Sequence, residues 1–276
     1  MALPATSLAA EPKARELLLR GLPGAHELKT AAQLQVALEF QYSERVLALG
    51  SPELDAALPR GGLLQGSVTE LQVRGAGGAA TSFALCACRA AQRAVSSWQQ
   101  NGSQQNGSVR LAGESTPWCA FIDPSASLFA PGVARLGVEL GRLLVVRPDI
   151  DAVARIAIRI AEARAVSLLV IDLRGALGNL SGSSRCADRR SDHHRGQNHH
   201  RWQSAVRRLA LSVRNLATCV LLITAEEEQR SMPLPVAMRL EFSRASANHF
   251  EIRVGKERTG RVSPPRLVPW SAFEEV

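Results

Sequence analysis

The sequence predicts an α/β fold in which a mostly parallel central sheet is flanked by helices and antiparallel strands lie at the C-terminal edge. Apolar runs of strand length alternate with longer amphipathic stretches, which is typical of β-strands connected by helices. The runs SLLVID and TCVLLIT are continuously apolar, as strands buried on both faces of a parallel sheet are. The last part of the chain, through RLEFSR, HFEIRV and RVSPPRLV, instead predicts antiparallel edge strands.

Composition excludes several other classes of protein. The chain has 276 residues, of which 46% are hydrophobic and 21% are charged. This balance is typical of a globular protein with a packed core and excludes collagen-like, coiled-coil and wholly disordered chains. Lysines and arginines number 33 against 25 aspartates and glutamates. The resulting net charge of +8 favours a polyanionic partner such as nucleic acid.

Cysteine usage and hydropathy predict a cytoplasmic protein with no membrane partner. The five cysteines are odd in number and most lie in apolar runs, which favours a reducing compartment. No apolar run reaches the roughly 18 residues of a membrane span. The N-terminus also lacks the pattern of a signal peptide.

The sequence pattern divides the chain into three parts. Residues 1–45 are predicted to be an N-terminal extension with one helix, residues 46–270 the core, and residues 271–276 a tail. Two segments interrupt the core. The polar, repetitive residues 99–117 predict a flexible insertion, and residues 178–201, which lose the apolar pattern and are rich in arginine and histidine, predict a basic loop.

The core begins with a strand, a glycine turn and a helix. An alternating run at residues 67–73 predicts the strand, the cluster RGAGGAATS predicts the turn, and SFALCACRAAQRA predicts a buried helix. This order is typical of the start of a nucleotide-binding α/β unit.

The following elements continue the alternation of strand and helix. WCAFID and LGVELGRLLVVRP each predict a strand, and two helices with an apolar stripe are expected before SLLVID and before TCVLLIT. The stripe of the first helix is Val153, Ile156, Ala157 and Ile160. The stripe of the second is Val206, Leu209, Val213 and Leu216.

Four stretches in this order resemble the core of the RecA recombinase family. They are LGSPELDAALPRGGLLQGSVTEL, the glycine turn, CAFIDPSASLFAPGVARLGVELGRLLVVRPD and ARAVSLLVIDLRGAL, and the resemblance covers roughly residues 46–265. It implies a RecA-like P-loop core. Within that superfamily, the short tail and PRGGLLQGSVTEL are most similar to the ImuA-type accessory proteins of bacterial mutagenic translesion synthesis cassettes.

The resemblance implies a nucleotide site that has lost part of its chemistry. Its positions are Gly75, Gly77, Gly78, Ala80, Thr81, Ser82 and Asp172. A P-loop binds phosphates through backbone N–H groups of its turn, a lysine, and a hydroxyl that holds Mg²⁺. Here Thr81 keeps the hydroxyl, but Ala79 stands where the last glycine belongs and Ala80 where the lysine belongs. Loss of a contact worth about 1.5 to 3 kcal/mol predicts nucleotide binding weakened roughly 10- to 100-fold.

The residues at the remaining nucleotide positions do not favour ATP hydrolysis. Asp172 matches a Mg²⁺-coordinating carboxylate, although an aspartate after a buried strand also caps turns, and both interpretations stay open. The resemblance places the water-activating glutamate at Ser125, the switch glutamine near Ala225 and the adenine-stacking tyrosine near Gly132. We therefore expect no catalytic residue, no ATPase activity and no required cofactor, with weak binding of ATP and Mg²⁺ left open.

Two basic groups match other contacts of RecA filaments. Lys256 and Arg258 stand where the family reaches the nucleotide of a neighbouring subunit, although an exposed basic hairpin is the favoured interpretation. Candidate contacts to single-stranded DNA are Arg185, Arg189, Arg190, Arg195 and Arg201. The carboxylates of residues 226–228 would repel a phosphate backbone in the second DNA-binding loop, so a strand-exchange filament is not expected.

A metal site is not expected either. Cys186, His193, His194, His199 and His200 have zinc-binding chemistry, but they lie in a polar stretch without framing strands. A solvated loop is the favoured interpretation.

These features favour a non-hydrolysing RecA-fold adaptor in the DNA damage response and error-prone translesion synthesis. By resemblance its partners are the catalytically inactive Y-family polymerase homologue of the same cassette and RecA itself. Alternatives are a DNA-dependent ATPase whose lysine comes from Lys256 of a neighbour, and a regulatory binder of proteins alone. Candidate partner surfaces are the N-terminal helix and the run PWSAFEEV, whose Trp270 and Phe273 are expected to pack against the body.

Overall fold

A computed structural model describes residues 45–75, 78–101, 118–174, 191–225, 234–258, 260 and 262–273. For residues 78, 95–101 and 191–200 it describes the backbone. The chain divides into two units, Met1–Glu44 and Arg45–Val276, and all described residues belong to the second. The predicted N-terminal helix therefore lies outside the described residues.

Ten strands occur within the described ranges. In chain order they are β1 (Val46–Leu47), β2 (Leu63–Leu64), β3 (Ser67–Val73), β4 (Cys119–Ile122), β5 (Leu143–Val146), β6 (Leu168–Asp172), β7 (Cys219–Ala225), β8 (Met238–Arg244), β9 (His249–Glu257) and β10 (Arg266–Pro269). Strands β1 and β2 pair with each other. The other eight form one sheet in the order β10-β9-β8-β3-β7-β6-β4-β5.

Five α-helices connect these strands in the same part of the chain. They are α1 (Pro52–Ala57), α2 (Gly78–Asn101), α3 (Ala130–Arg135), α4 (Ile150–Glu162) and α5 (Ser191–Val213). None of the described helices is both long and apolar enough to cross a membrane.

The central part of the sheet is parallel, as predicted. Strand β3 runs parallel to β7 and β8, β6 parallel to β7 and β4, and β4 parallel to β5. Strand β9 is antiparallel to both β8 and β10, which confirms antiparallel strands at the C-terminal edge. RLEFSR, in β8, is antiparallel to β9 as predicted, but it also pairs in parallel with β3. Its prediction as an edge strand was therefore wrong. Alternating polarity indicates that one face of a strand is more exposed to solvent than the other, and it does not indicate the direction of the strand.

The sheet is buried on both faces because successive residues of its strands enter two different apolar clusters. In β4, Cys119 and Phe121 pack into the cluster that contains α2, whereas Ala120 and Ile122 pack into the cluster that contains α4 and α5. The predicted stripe of α5 is buried at Val206, Leu209 and Val213. The stripe of α4 is centred on Val153, Ala157 and Ala161, which leaves Ile156 and Ile160 half-buried.

Two predicted irregular segments are partly helical. Helix α2 continues to Asn101, so residues 99–101 do not belong to an insertion, and 102–117 lie outside the described residues. Helix α5 begins at Ser191, so the basic loop predicted at 178–201 is wrong from residue 191 onward. The first half of α5 is polar and carries no apolar stripe. It extends a helix whose second half is packed from Trp202 onward, and adding turns to an existing helix costs little.

The core ends three residues later than predicted. A 3₁₀ turn at Trp270–Phe273 follows β10, and Phe273 is buried with its ring 4.7 Å from that of Phe250. The core therefore extends to Phe273, which supplies aromatic surface to it, and Ala272 is buried beside it. As expected, Trp270 and Phe273 pack against the body.

Candidate functional site

The predicted strand, turn and helix are present at the carboxyl end of β3. Strand β3 ends at Val73, Gly75 adopts a φ of +69°, and helix α2 begins at Gly78. Glycine is favoured at this position because a side chain disfavours the left-handed conformation. Gly77 lies outside the described residues, and of Gly78 only the backbone is described.

Parallel pairing brings the other predicted positions to the same edge of the sheet. Val73 is in register with Ala225 of β7, and Ile223 of β7 is in register with Asp172 of β6. The turn after β3, the carboxylate of Asp172 and the end of β7 therefore meet at the carboxyl ends of three neighbouring strands. Ligands of open α/β sheets bind at this edge.

The position of the missing lysine is occupied by a core residue. Ala80 is fully buried in the apolar cluster between α2 and the sheet, and Ala79 packs partly against the same cluster. A methyl group offers no charge to a phosphate. Ser82, the last predicted position of the turn, is half-buried on the first turns of α2.

An arginine that the sequence analysis had counted only for its charge lies in the centre of the site. The Arg174 side chain donates hydrogen bonds to both oxygens of Asp172, from Nε to Oδ1 at 3.0 Å and from Nη2 to Oδ2 at 2.5 Å. The same Nη2 donates to Thr81 Oγ1 at 2.6 Å. The guanidinium therefore bridges the predicted Mg²⁺ carboxylate and the predicted Mg²⁺ hydroxyl.

Asp172 also caps the turn that follows β6. Its Oδ1 accepts a hydrogen bond from the Arg174 backbone N–H at 3.0 Å. Of the two interpretations of Asp172, the capping role is thus present in this structure. The spacing in the sequence could have predicted this contact of Arg174, since a residue two positions after a strand-ending aspartate can turn back onto that carboxylate.

These residues do not fit a Mg²⁺-nucleotide. Mg²⁺ requires oxygen ligands held near 2.1 Å in nearly ideal geometry. The two side chains expected to supply them, Thr81 and Asp172, are hydrogen-bonded to a cation of the protein itself. The lysine that would hold the phosphates is replaced by the buried methyl of Ala80.

The position of the water-activating glutamate is part of a structural turn. Asp123 is fully buried after β4 and accepts hydrogen bonds from the N–H groups of Ser127 and Leu128 and from the hydroxyls of Ser125 and Ser127. Burial alone would raise the pKa of Asp123, but the hydrogen bonds from Leu128, Ser127 and Ser125 outweigh it and hold that pKa below its ordinary value. The Ser125 hydroxyl therefore supports the turn.

An exposed aromatic ring lies beside the position predicted for the adenine-stacking tyrosine. Phe129 is 71% exposed just before α3, and a Cβ built on Gly132 would lie 3.7 Å from Phe129 Cδ1. The sequence analysis missed Phe129, which directly precedes α3 and lies three residues before Gly132.

Lys256 and Arg258 lie beside the amino end of β8, whereas the nucleotide positions lie at the carboxyl ends of the parallel strands. Glu257, between them in sequence, is in register with Met238 at the start of β8, whereas Val73 is in register with Phe242. Met238 and Phe242 are four residues apart along β8, or about 13 Å at about 3.3 Å per residue. The pair therefore lies away from the nucleotide positions of its own chain.

The predicted DNA contacts are only partly described. Arg185, Arg189 and Arg190 lie outside the described residues, and Arg195 lies on α5 without a described side chain. Arg201 is bound to α4, because its Nη1 lies 3.5 Å from Asp151 Oδ1 and its Nη2 donates to the Asp151 carbonyl. Residues 226–228 and Cys186 also lie outside the described residues, as do the side chains of the four histidines.

A second buried ion pair, which the sequence analysis missed, lies below the site. Glu70 of β3 is fully buried and accepts hydrogen bonds from Thr224 Oγ1 at 3.0 Å and from Arg239 Nε at 2.8 Å. It joins the three adjacent strands β7, β3 and β8. No group of three or more histidine, cysteine, aspartate or glutamate side chains that could hold a metal occurs among the described residues.

Two comparisons with known proteins bear on this architecture. No family model matches the chain. The chain is 32% identical over 183 residues to a protein named protein RecA from Gluconacetobacter polyoxogenes, a match that covers 64% of this chain and 44% of that protein. The chain thus spans less than half the length of this curated relative. The similarity and the mostly parallel sheet with antiparallel C-terminal strands both fit a RecA-like core.

Proposed function

We propose that this protein is a RecA-like adaptor that does not hydrolyse nucleotide and that acts in the DNA damage response during error-prone translesion synthesis. The observation that carries the proposal is the site itself. Ala80 is buried where a phosphate-binding lysine is needed, and Thr81 and Asp172 are bonded to Arg174. A RecA-like core without this chemistry is suited to binding.

The proposed protein partners are the inactive Y-family polymerase homologue of the same cassette and RecA. The edge of the sheet at β5, which we call the β5 edge, supports such a role. Its Leu144 and Val145 are both exposed. The Val146 carbonyl accepts a hydrogen bond from the Asp123 N–H, so the N–H and C=O of Val145 point away from β4. An exposed apolar edge is a template for an added strand, and we assign it to an extended segment of the polymerase homologue.

The experiment that tests this role is size-exclusion chromatography of the full chain with the purified polymerase homologue. We expect one complex to form equally well with and without ATP and Mg²⁺. Two separate species at micromolar concentrations, or a complex that requires Mg²⁺-ATP, would overturn the adaptor role. Retention of single-stranded DNA that falls with salt supports DNA contact. Failure to retain DNA at any salt concentration favours the alternative of a regulatory binder of proteins alone.

A DNA-dependent ATPase is the second candidate function. Lys256 and Arg258 lie beside the amino end of β8, away from the nucleotide positions of their own chain. This placement favours the ATPase alternative, because the pair would contact a phosphate only if a neighbouring subunit held it. Under this alternative Lys256→Ala abolishes DNA-stimulated turnover. Turnover that is unchanged by Lys256→Ala, or absent from the unaltered chain, would rule it out.

A further inference from the structure

The Asp172 carboxylate is a buried negative charge that requires a cation. Its side chain is 2% exposed, whereas the Arg174 side chain is 20% exposed. An unpaired carboxylate in such a position is unfavourable unless a counter-charge and hydrogen bonds compensate for lost water. Arg174 supplies both, through two hydrogen bonds to the two carboxylate oxygens.

The same guanidinium joins two elements that are distant in sequence. Thr81 is the fourth residue of α2, and Asp172 ends β6. Arg174 Nη2 lies within hydrogen-bond distance of both, at 2.6 Å from Thr81 Oγ1 and 2.5 Å from Asp172 Oδ2. A position within reach of both oxygens is where a divalent cation would be bound by this hydroxyl and this carboxylate.

We propose that Arg174 is a built-in replacement for the divalent cation and closes the site to Mg²⁺-nucleotide. This inference rests on the proposed function, since it explains how the site remains stable without metal. A divalent cation cannot take up a position beside these two oxygens while the guanidinium is there, because Nη2 already lies between them and like charges repel. Removing the guanidinium leaves Thr81 and Asp172 as an open pair of oxygen ligands.

The test compares the unaltered full chain with Arg174→Ala, using two probes. Mn²⁺ replaces Mg²⁺ so that bound metal is read directly from the loss of the free-ion electron paramagnetic resonance signal. A fluorescent ADP analogue is titrated with and without EDTA. We expect Arg174→Ala to bind Mn²⁺ at least about tenfold more tightly than the unaltered chain, a change equivalent to about 1.4 kcal/mol. We also expect it to gain EDTA-sensitive binding of the ADP analogue.

A matched double variant shows whether the gain arises at this site. Arg174→Ala combined with Asp172→Asn removes both charges and leaves no unpaired carboxylate at this position. We therefore expect the double variant to fold and to serve as the reference even if the single variant is unstable. We expect it to bind no more Mn²⁺ than the unaltered chain. The proposal is overturned if folded Arg174→Ala binds Mn²⁺ no better than the unaltered chain, or if the double variant gains as much as the single one. If only the double variant folds, a tenfold gain by Arg174→Gln, which keeps a side-chain hydrogen-bond donor and removes the charge, replaces the single-variant test.

The outcome is separable from that of the proposed function. ATP turnover by the unaltered chain would overturn the non-hydrolysing role whatever Arg174→Ala binds. An unaltered chain that neither turns over ATP nor gains Mn²⁺ binding upon substitution would leave the adaptor role standing and remove the role of Arg174.

Discussion

The guanidinium of Arg174 and the carboxylate of Asp172 form a two-bond ion pair at the end of β6, with a shortest contact of 2.5 Å. Because Asp172 is buried, breaking this pair leaves an uncompensated charge. We predict that Arg174→Ala lowers the free energy of unfolding by about 3 kcal/mol, measured by urea denaturation.

Arg147→Ala is the matched control. Arg147 is 53% exposed and its guanidinium lies 3.8 Å from Asp123, another buried carboxylate after a parallel strand. Since hydrogen bonds from its own turn already compensate Asp123, the loss should be below about 1 kcal/mol. Equal losses for the two variants would contradict the importance of the Arg174 pair.

Glu70 should be equally sensitive to loss of its charge. Glu70→Gln keeps the size of the side chain but leaves the guanidinium of Arg239 without its carboxylate inside the sheet. We expect a loss of about 2 kcal/mol in the free energy of unfolding, by the same denaturation measurement. Glu162→Gln, which breaks an exposed ion pair to Arg208 between α4 and α5, is the control and should cost less than about 0.5 kcal/mol.

Asp123 should make the stability depend on pH on the acid side. Its pKa in the folded chain is lowered, so below the unfolded value of about 3.9 the unfolded chain binds a proton that the folded chain does not. The stabilisation is complete above that value and is lost as the pH falls through the lower pKa of the folded state. We predict that the free energy of unfolding depends less steeply on pH below about 4 in Asp123→Asn than in the unaltered chain. A parallel curve would contradict this assignment.

The buried thiols should resist alkylation. Burial raises the pKa of Cys86, and burial together with Cys119 raises that of Cys219 to about 12. Since the thiolate is the reactive form, iodoacetamide at pH 8 should label these two cysteines only after unfolding in guanidinium chloride. Peptide mass spectrometry measures the labelling, and rapid modification of Cys219 in the folded chain would show that the cluster around it is open.

The β5 edge should determine binding of the polymerase homologue. We expect Leu144→Asp to weaken the complex at least about tenfold in an equilibrium titration, because a charge on an apolar edge opposes addition of a strand. Leu211→Asp, at an exposed leucine of α5, is the control and should have no effect. Equal affinity of Leu144→Asp and the unaltered chain would place the partner surface elsewhere.

The sequence predicted the parallel sheet well because its strands are buried on both faces and therefore read as continuous apolar runs. The glycine turn was predicted from residue type, and the assignment of Ala80 to the lysine position came from the resemblance to the RecA family. Pairing that depends on three-dimensional proximity was not predictable, since Arg174 meets Thr81 only after β3 and β6 are aligned through β7. The parallel pairing of β8 with β3 was missed because a polarity pattern shows which side chains are exposed and does not show the direction of a strand. The polar half of α5 was missed because a helix that extends into solvent has no apolar stripe.

The rate of ATP hydrolysis by the full chain with Mg²⁺ and single-stranded DNA tests the central claim most directly. With Ala80 at the lysine position and Arg174 on Thr81 and Asp172, we predict a rate indistinguishable from that of buffer at every protein concentration. Hydrolysis that requires both DNA and Mg²⁺, at rates typical of recombinases, would contradict the account.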